Sequence, residues 1–121
     1  MTKKSLLGCM VSVMVLSYSA MAHADNANVL KLEVGQYYDQ SKPFQADKGT
    51  LEITIENEGP DVAYYYVFEY CDYLECPVVT WGDVEQGEKK LDSFQVLSGK
   101  YIFKIESPEG NTNARAFVRQ Q

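Results

Sequence analysis

The chain has 121 residues, 11 of them basic and 17 acidic, for a formal net charge of −6 with its one histidine neutral. That length suits one domain built around one core. The acidic balance argues against nucleic acid and anionic lipid headgroups as partners, because phosphate would repel it, and it suits a basic protein partner.

Residues 1–24 read as a secretory signal peptide. Lys3 and Lys4 form the charged start, Leu6 to Leu16 the apolar stretch, and Ala22-His23-Ala24 the small-residue box, with cleavage after Ala24. The apolar stretch is too short to cross about 30 Å of hydrocarbon, so it is an address and predicts no membrane span. Leu6-Leu7-Gly8-Cys9 looks like a lipoprotein box, but cleavage there would leave the long apolar run after Cys9 unexplained. The expected mature chain is therefore Asp25 to Gln121, secreted or periplasmic. Removing the signal takes away His23, Cys9 and all four methionines. Losing Lys3 and Lys4 but no acid moves the formal charge from −6 to −8. Without histidine the mature domain cannot assemble a Ser-His-Asp or Cys-His site, nor offer imidazole to zinc. No cofactor is expected, and the chain reads as non-catalytic. A hydrolase built on a carboxylate pair is the one enzymatic rival.

Along the mature chain apolar residues recur with period 2 and no long helical pattern appears. Val29 to Val34 predicts a first strand. Gly35 to Asp47, with Tyr37, Tyr38 and Phe44 scattered among polar residues, predicts a loop or an irregular edge strand. Leu51, Ile53 and Ile55 alternate with Glu52, Thr54 and Glu56 in a half-buried strand, which Asn57-Glu58-Gly59-Pro60-Asp61 should end with turn chemistry. Val62 to Cys71 is apolar or aromatic almost throughout. It suits a central strand with both faces covered, or one whose tyrosine face is partly exposed. Cys76 to Trp81 predicts a short strand and Gly82 to Lys90 a polar connection. Leu91 to Leu97 predicts a strand, Ser98-Gly99-Lys100 a turn, and Tyr101 to Ile105 another strand. Ser107 to Asn113 is a turn cluster. In Ala114 to Arg119, the last strand, either the Ala114, Ala116, Val118 face or the Arg115, Phe117, Arg119 face turns inward. About seven strands spaced by turns predict an all-β fold, a small antiparallel β-sandwich of jelly-roll or immunoglobulin-like type, as one domain over 25–121.

Cys71 and Cys76 flank four residues between two predicted strands. In an oxidising compartment they should pair across a hairpin tip, contributing about 2 kcal/mol and holding the loop in shape. Redox pairs usually enclose two residues, and Glu69, Asp72 and Glu75 would raise a thiol pKa rather than lower it.

Six aromatics cluster around this loop: Tyr64, Tyr65, Tyr66, Tyr70, Tyr73 and Trp81. Tyr64, Tyr66 and Phe68 read as core packing between sheets. Tyr65, Tyr73 and Trp81 are candidates for binding, since aromatic faces anchor protein interfaces and stack on sugars. Ser98 and Lys100 join them as exposed turn residues. Asp83, Glu85 and Glu88 share one loop and form a calcium candidate without the EF-hand spacing.

Ser98-Gly99-Lys100-Tyr101-Ile102-Phe103-Lys104-Ile105 carries a family pattern. Gly99 permits a tight entry to the strand, and Tyr101 can bury its ring and tie its hydroxyl to the turn backbone, much as a tyrosine corner does. The segment resembles the penultimate strand of bacterial pre-peptidase C-terminal domains, small jelly-roll sandwiches of secreted proteins. Lys48-Gly49-Thr50-Leu51-Glu52-Ile53-Thr54-Ile55-Glu56-Asn57-Glu58-Gly59 is similar to that fold's Gly-initiated strand ending in Asn-x-Gly. Ser98, Gly99 and Tyr101 are also similar to the Ser-Gly-x-Tyr loop with which periplasmic lysozyme inhibitors enter the enzyme's cleft. The expected function is a secreted or periplasmic binding protein acting through a sheet surface and its loops, with a protein ligand. The alternatives are a lysozyme inhibitor and a carbohydrate-binding module, the latter needing Tyr65, Trp81 and Tyr37 coplanar on one face.

Overall fold

A computed structural model describes residues 29–121. The expected signal peptide, its cleavage point at Ala24 and Cys9 lie outside the described residues. Nine strands follow in order: β1 (Val29–Leu32), β2 (Tyr38–Gln40), β3 (Phe44–Ala46), β4 (Gly49–Pro60), β5 (Ala63–Glu69), β6 (Val78–Val84), β7 (Lys89–Val96), β8 (Gly99–Glu106) and β9 (Thr112–Gln120). They form two sheets, β1-β9-β4-β7 and β2-β8-β5-β6, with β3 also paired to β8; every pairing is antiparallel. The predicted β-sandwich is thus the fold. Among the described residues no helix is long and apolar enough to cross a membrane.

The core is made by the inward half of each alternation. Leu30 and Leu32 of β1, Leu51, Ile53 and Ile55 of β4, and Ala114, Ala116 and Val118 of β9 face Ala63, Tyr65 and Val67 of β5 and Tyr101, Phe103 and Ile105 of β8. Each large aliphatic side chain buried there contributes about 1.5–3 kcal/mol. In β9 the alanine-valine face is the inner one, leaving Arg115, Phe117 and Arg119 outside.

Two boundaries differ from the sequence reading, while Gly35 to Asp47 takes the second of its two expected forms, an irregular edge strand broken into β2 and β3, so that nine strands replace the expected seven. At the break, Ser41 donates its N–H to the Phe103 carbonyl (2.8 Å) while its Oγ accepts the Phe103 N–H (2.9 Å), so a side chain stands in for the missing ladder bond. Pro43, which has no N–H to give, is tolerated because this is an edge. Gly82 to Lys90 is mostly strand, with β6 running to Val84 and β7 starting at Lys89. Finally, β4 does not end at Asn57. It continues to Pro60 through a bulge at Glu58.

Asn57 explains that continuation. Its side chain is buried and fully satisfied. Its Nδ2 donates to the carbonyls of Asp61 and Val84, both at 2.8 Å, and its Oδ1 accepts from the Gly59 N–H (2.8 Å) and the Thr112 hydroxyl (2.6 Å). Val84 belongs to one sheet and Thr112 to the other, so one amide joins both layers at this end of the sandwich. Near the opposite end the Tyr101 ring is buried and its hydroxyl donates to the Leu97 carbonyl at 2.6 Å, the arrangement expected from the Gly-x-Tyr pattern.

Replacing Asn57 by Ala strips this partner from the Gly59 N–H and the Val84 carbonyl, whereas the Thr112 hydroxyl and the Asp61 carbonyl keep each other at 2.9 Å. We expect Asn57→Ala to cost about 2–4 kcal/mol in chemical denaturation, with the slope against denaturant unchanged.

Candidate functional site

The site is set by which face of β5 turns inward. Ala63, Tyr65 and Val67 point into the core, so Tyr64, Tyr66 and Phe68 point out. Tyr65 is 1% exposed. Its partner across the ladder is Gly82, and a β-carbon there would lie 2.5 Å from the Tyr65 hydroxyl oxygen. Only glycine lets the ring lie across β6. The hydroxyl then donates to Asp92 Oδ2 of the opposite sheet at 2.9 Å, and Lys90 Nζ sits 5.7 Å from the ring centroid while donating to the Asp83 carbonyl. Burial, then the bond to the Asp92 carboxylate and the negative charges of Asp92, Asp83 and Glu88, push the Tyr65 phenol well above its ordinary range.

The consequence is an outer face made of aromatics. Reading across β2, β8, β5 and β6, the register aligns Tyr38, Glu106, Tyr64 and Asp83 in one row. Gln40, Lys104, Tyr66 and Trp81 form the next, and Ile102, Phe68 and Val78 a third. Tyr66 and Phe68 stack with ring centroids 5.8 Å apart and planes 18° from parallel. Lys104 Nζ lies 5.3 Å from the Tyr38 centroid, a cation over an aromatic face. Trp81 is 61% exposed. Burial, then the carboxylate of Glu106, raise the Tyr66 phenol.

β5 and β6 are joined by the loop that carries Cys71 and Cys76, and the two are disulfide-bonded with Cα atoms 5.5 Å apart. The Glu69 N–H to Pro77 carbonyl bond (2.9 Å) closes the hairpin beneath them. The loop leans over the outer face, where Leu74, Glu75 and Cys76 form one wall of a groove of about 510 Å³. Phe68, Val78 and Ile102 are apolar lining, and Gln40 and Lys104 lie across from the loop. Leu74 is wholly exposed and Tyr73 81% exposed.

Of the residues singled out in the sequence, Trp81 and Tyr73 thus lie on or beside this surface. Lys100 shares the same face of β8 as Ile102 and Lys104, and Ser98 is exposed in the preceding turn. Tyr65 is a correction: it is a core residue and touches no ligand from outside. Tyr64, Tyr66 and Phe68 are the converse correction, half-buried on the outer face rather than packed between sheets. Tyr37 lies off the sheet with its ring against Gly110, so the coplanar Tyr65–Trp81–Tyr37 trio does not exist. The calcium candidate is not assembled either. Asp83 faces outward on β6, and Glu88 Oε1 accepts the Glu85 N–H at 2.9 Å within the turn. Among the described residues no three acidic, cysteine or histidine side chains converge. The one signal for the missed residues was Gly82, a small residue beside a run in which both faces are apolar.

No protein-family model and no curated protein matches this chain. Among solved structures it is similar to the pre-peptidase C-terminal domain of a collagenase from Bacillus anthracis, at a TM-score of 0.58 and 16% sequence identity, over 77% of this chain and 89% of that one. The resemblance read from the two Gly-containing strands is therefore matched by the fold.

Two measurements check this geometry. Trp81, the chain's one tryptophan, should emit as solvent-exposed indole and be quenched fully by acrylamide in the native state. Stability should be intact up to about pH 10 and fall as the pH rises further, because the unfolded phenol ionises there while folded Tyr65 holds its proton. The expected slope from this group is about 1.4 kcal/mol per pH unit, and Tyr65→Phe should flatten it.

Proposed function

We propose that this chain is a secreted or periplasmic non-catalytic binding protein that takes a protein ligand on the outer face of the β2-β8-β5-β6 sheet, beneath the disulfide loop. The observation that supports this best is the unpartnered set Tyr66, Phe68, Val78 and Trp81, continuous across neighbouring strands, with Leu74 projecting beside it. Folding alone gives no reason for a leucine and a tryptophan on this sheet and its loop both to stand in water. A groove with an apolar floor and an aromatic rim suits anchor side chains of a partner. The surrounding acids, Asp72, Glu75, Asp83 and Glu106, together with the excess of acidic over basic residues in the chain, suit a partner with a basic rim and would speed its approach.

The two other readings receive less support. A sugar-binding platform loses Tyr65 to the core and Tyr37 to its place on Gly110. A lysozyme-inhibitor loop of the Ser-Gly-x-Tyr kind has its tyrosine, Tyr101, committed to the core, which leaves Ser98 and Lys100 alone at the surface.

The test is a comparison of captured ligands. Mature chain immobilised against the native extracellular or periplasmic protein pool should retain a partner. Trp81→Ala and Leu74→Asp should each weaken that partner's binding at least about tenfold, on the scale of an interface anchor. Val34→Ala, a comparably exposed apolar residue beside Asn113 at the other end of the sandwich, should leave binding unchanged. Equal retention by all three variants overturns the assignment of this face. Inhibition of lysozyme lysis, or binding to polysaccharide abolished by Trp81→Ala, would replace it with one of the alternatives.

A further inference from the structure

The opposite face of the sandwich carries a second unexplained surface. On the outside of β1-β9-β4-β7, the register aligns Val29, Phe117, Thr54 and Leu91 in a row crossing all four strands. Val29, Phe117 and Leu91 are 67%, 41% and 63% exposed. Two residues along the strands in one direction lies the row Lys31, Arg115, Glu56 and Lys89, in which Arg115 and Glu56 are 3.7 Å apart. In the other direction Arg119 pairs with Glu52 at 3.1 Å, and the Glu52 carboxylate also accepts from Gln121 Nε2 at 2.8 Å. A flat apolar strip is thus bordered on both sides by a cation on β9 and an anion on β4.

We propose that this face pairs with the same face of a second copy of the chain, about a two-fold axis parallel to the strands and centred between β4 and β9. Such an axis lays β9 of each copy over β4 of the other and β1 over β7. Arg115 then meets Glu56 of the second copy, Arg119 meets its Glu52, Phe117 its Thr54 and Val29 its Leu91. Each intrachain ion pair becomes part of a four-charge ring, and the apolar strips close on each other. The other in-plane axis, across the strands at the level of Phe117, would set Arg115 over Arg119 and Glu56 over Glu52, like charge on like charge. The charge order therefore selects one arrangement, with the sheets within about 30° of aligned as in ordinary sheet-on-sheet packing. The same axis sets Lys31 of each copy over Lys89 of the other, but this like-charge contact lies at the exposed ends of the row, where water and salt screen it and Lys31 keeps its own partner Glu33 at 3.1 Å. Four strands about 4.8 Å apart, over five to six residues at about 3.4 Å each, make a footprint of roughly 350 Å² in plan. That is less than half the ~800 Å² per partner of a standard stable interface, so the dimer is weak, with a Kd of about 10–100 µM.

Sedimentation equilibrium of the mature chain should show a reversible monomer–dimer equilibrium in that range. Leu91→Asp should weaken it at least about tenfold without lowering the melting temperature, since Leu91 packs on nothing within its own chain's core. The double variant Arg115→Glu/Glu56→Arg keeps its own intrachain pair and should dimerise like the wild type. Mixed with the wild type, however, it should form few heterodimers, because each copy then meets like charge at both positions. A wild-type chain that stays monomeric to about 1 mM, ten times the weakest affinity expected, overturns the proposal. So does dimerisation unaffected by Leu91→Asp, and free mixing of the double variant with the wild type overturns the axis.

Discussion

The Tyr65 ring lying across Gly82 is the contact on which the rest of the molecule turns. Five of the six residues from Ala63 to Phe68 are large and apolar or aromatic, so hydropathy alone does not say which set belongs inside. The missing β-carbon at position 82 makes room for one ring and no other on this strand. With Tyr65 inside, its hydroxyl finds Asp92 across the sandwich, and the edge between β6 and β7 is closed by a polar contact rather than by a loop. With Tyr65 inside, Tyr64, Tyr66 and Phe68 have nowhere to go but out. The core contact and the aromatic surface are two results of one choice of face.

Asn57 plays the matching part at the sheet end. A bulged strand usually loses ladder bonds at the extra residue. Here the buried amide replaces them and reaches across to Val84 and Thr112. Both Gly-containing patterns that link this chain to the pre-peptidase C-terminal fold serve such closures: Asn57-Glu58-Gly59 fastens one end, and the Gly99–Tyr101 turn fastens the other. The sheet interior, by contrast, needs only apolar residues of suitable volume.

Much of this was legible in the chain. Strict alternation located β4, β7, β8 and β9, because a two-sided environment imposes period 2 on residue choice. The spacing of Cys71 and Cys76 located a hairpin tip, and Tyr101 was identifiable as a buried anchor. The broken edge at Ser41 was readable only as irregularity, since a serine standing in for a ladder bond leaves no period. The inward direction of Asp92 and Lys90 was hidden because polar residues ordinarily mark the wet face. The three acids Asp83, Glu85 and Glu88 looked like neighbours in sequence, but strand alternation and a turn send them to different places. The outer aromatic face was half visible: Trp81 could be picked out by residue type, whereas the rows that join it to Tyr66 and Lys104 exist only in the pairing register.

The interrupted margin formed by β2 and β3 has a consequence for the life of the protein outside the fold's own needs. An uninterrupted outer strand offers a regular series of open amides and carbonyls to any extended polypeptide nearby. Here Pro43 removes one donor, the Ser41 hydroxyl takes the Phe103 N–H, and Asp39 caps the N–H of Lys31 and so covers the neighbouring border of the other sheet. Growth by adding strand after strand, the route to amyloid, has no continuous template on that flank.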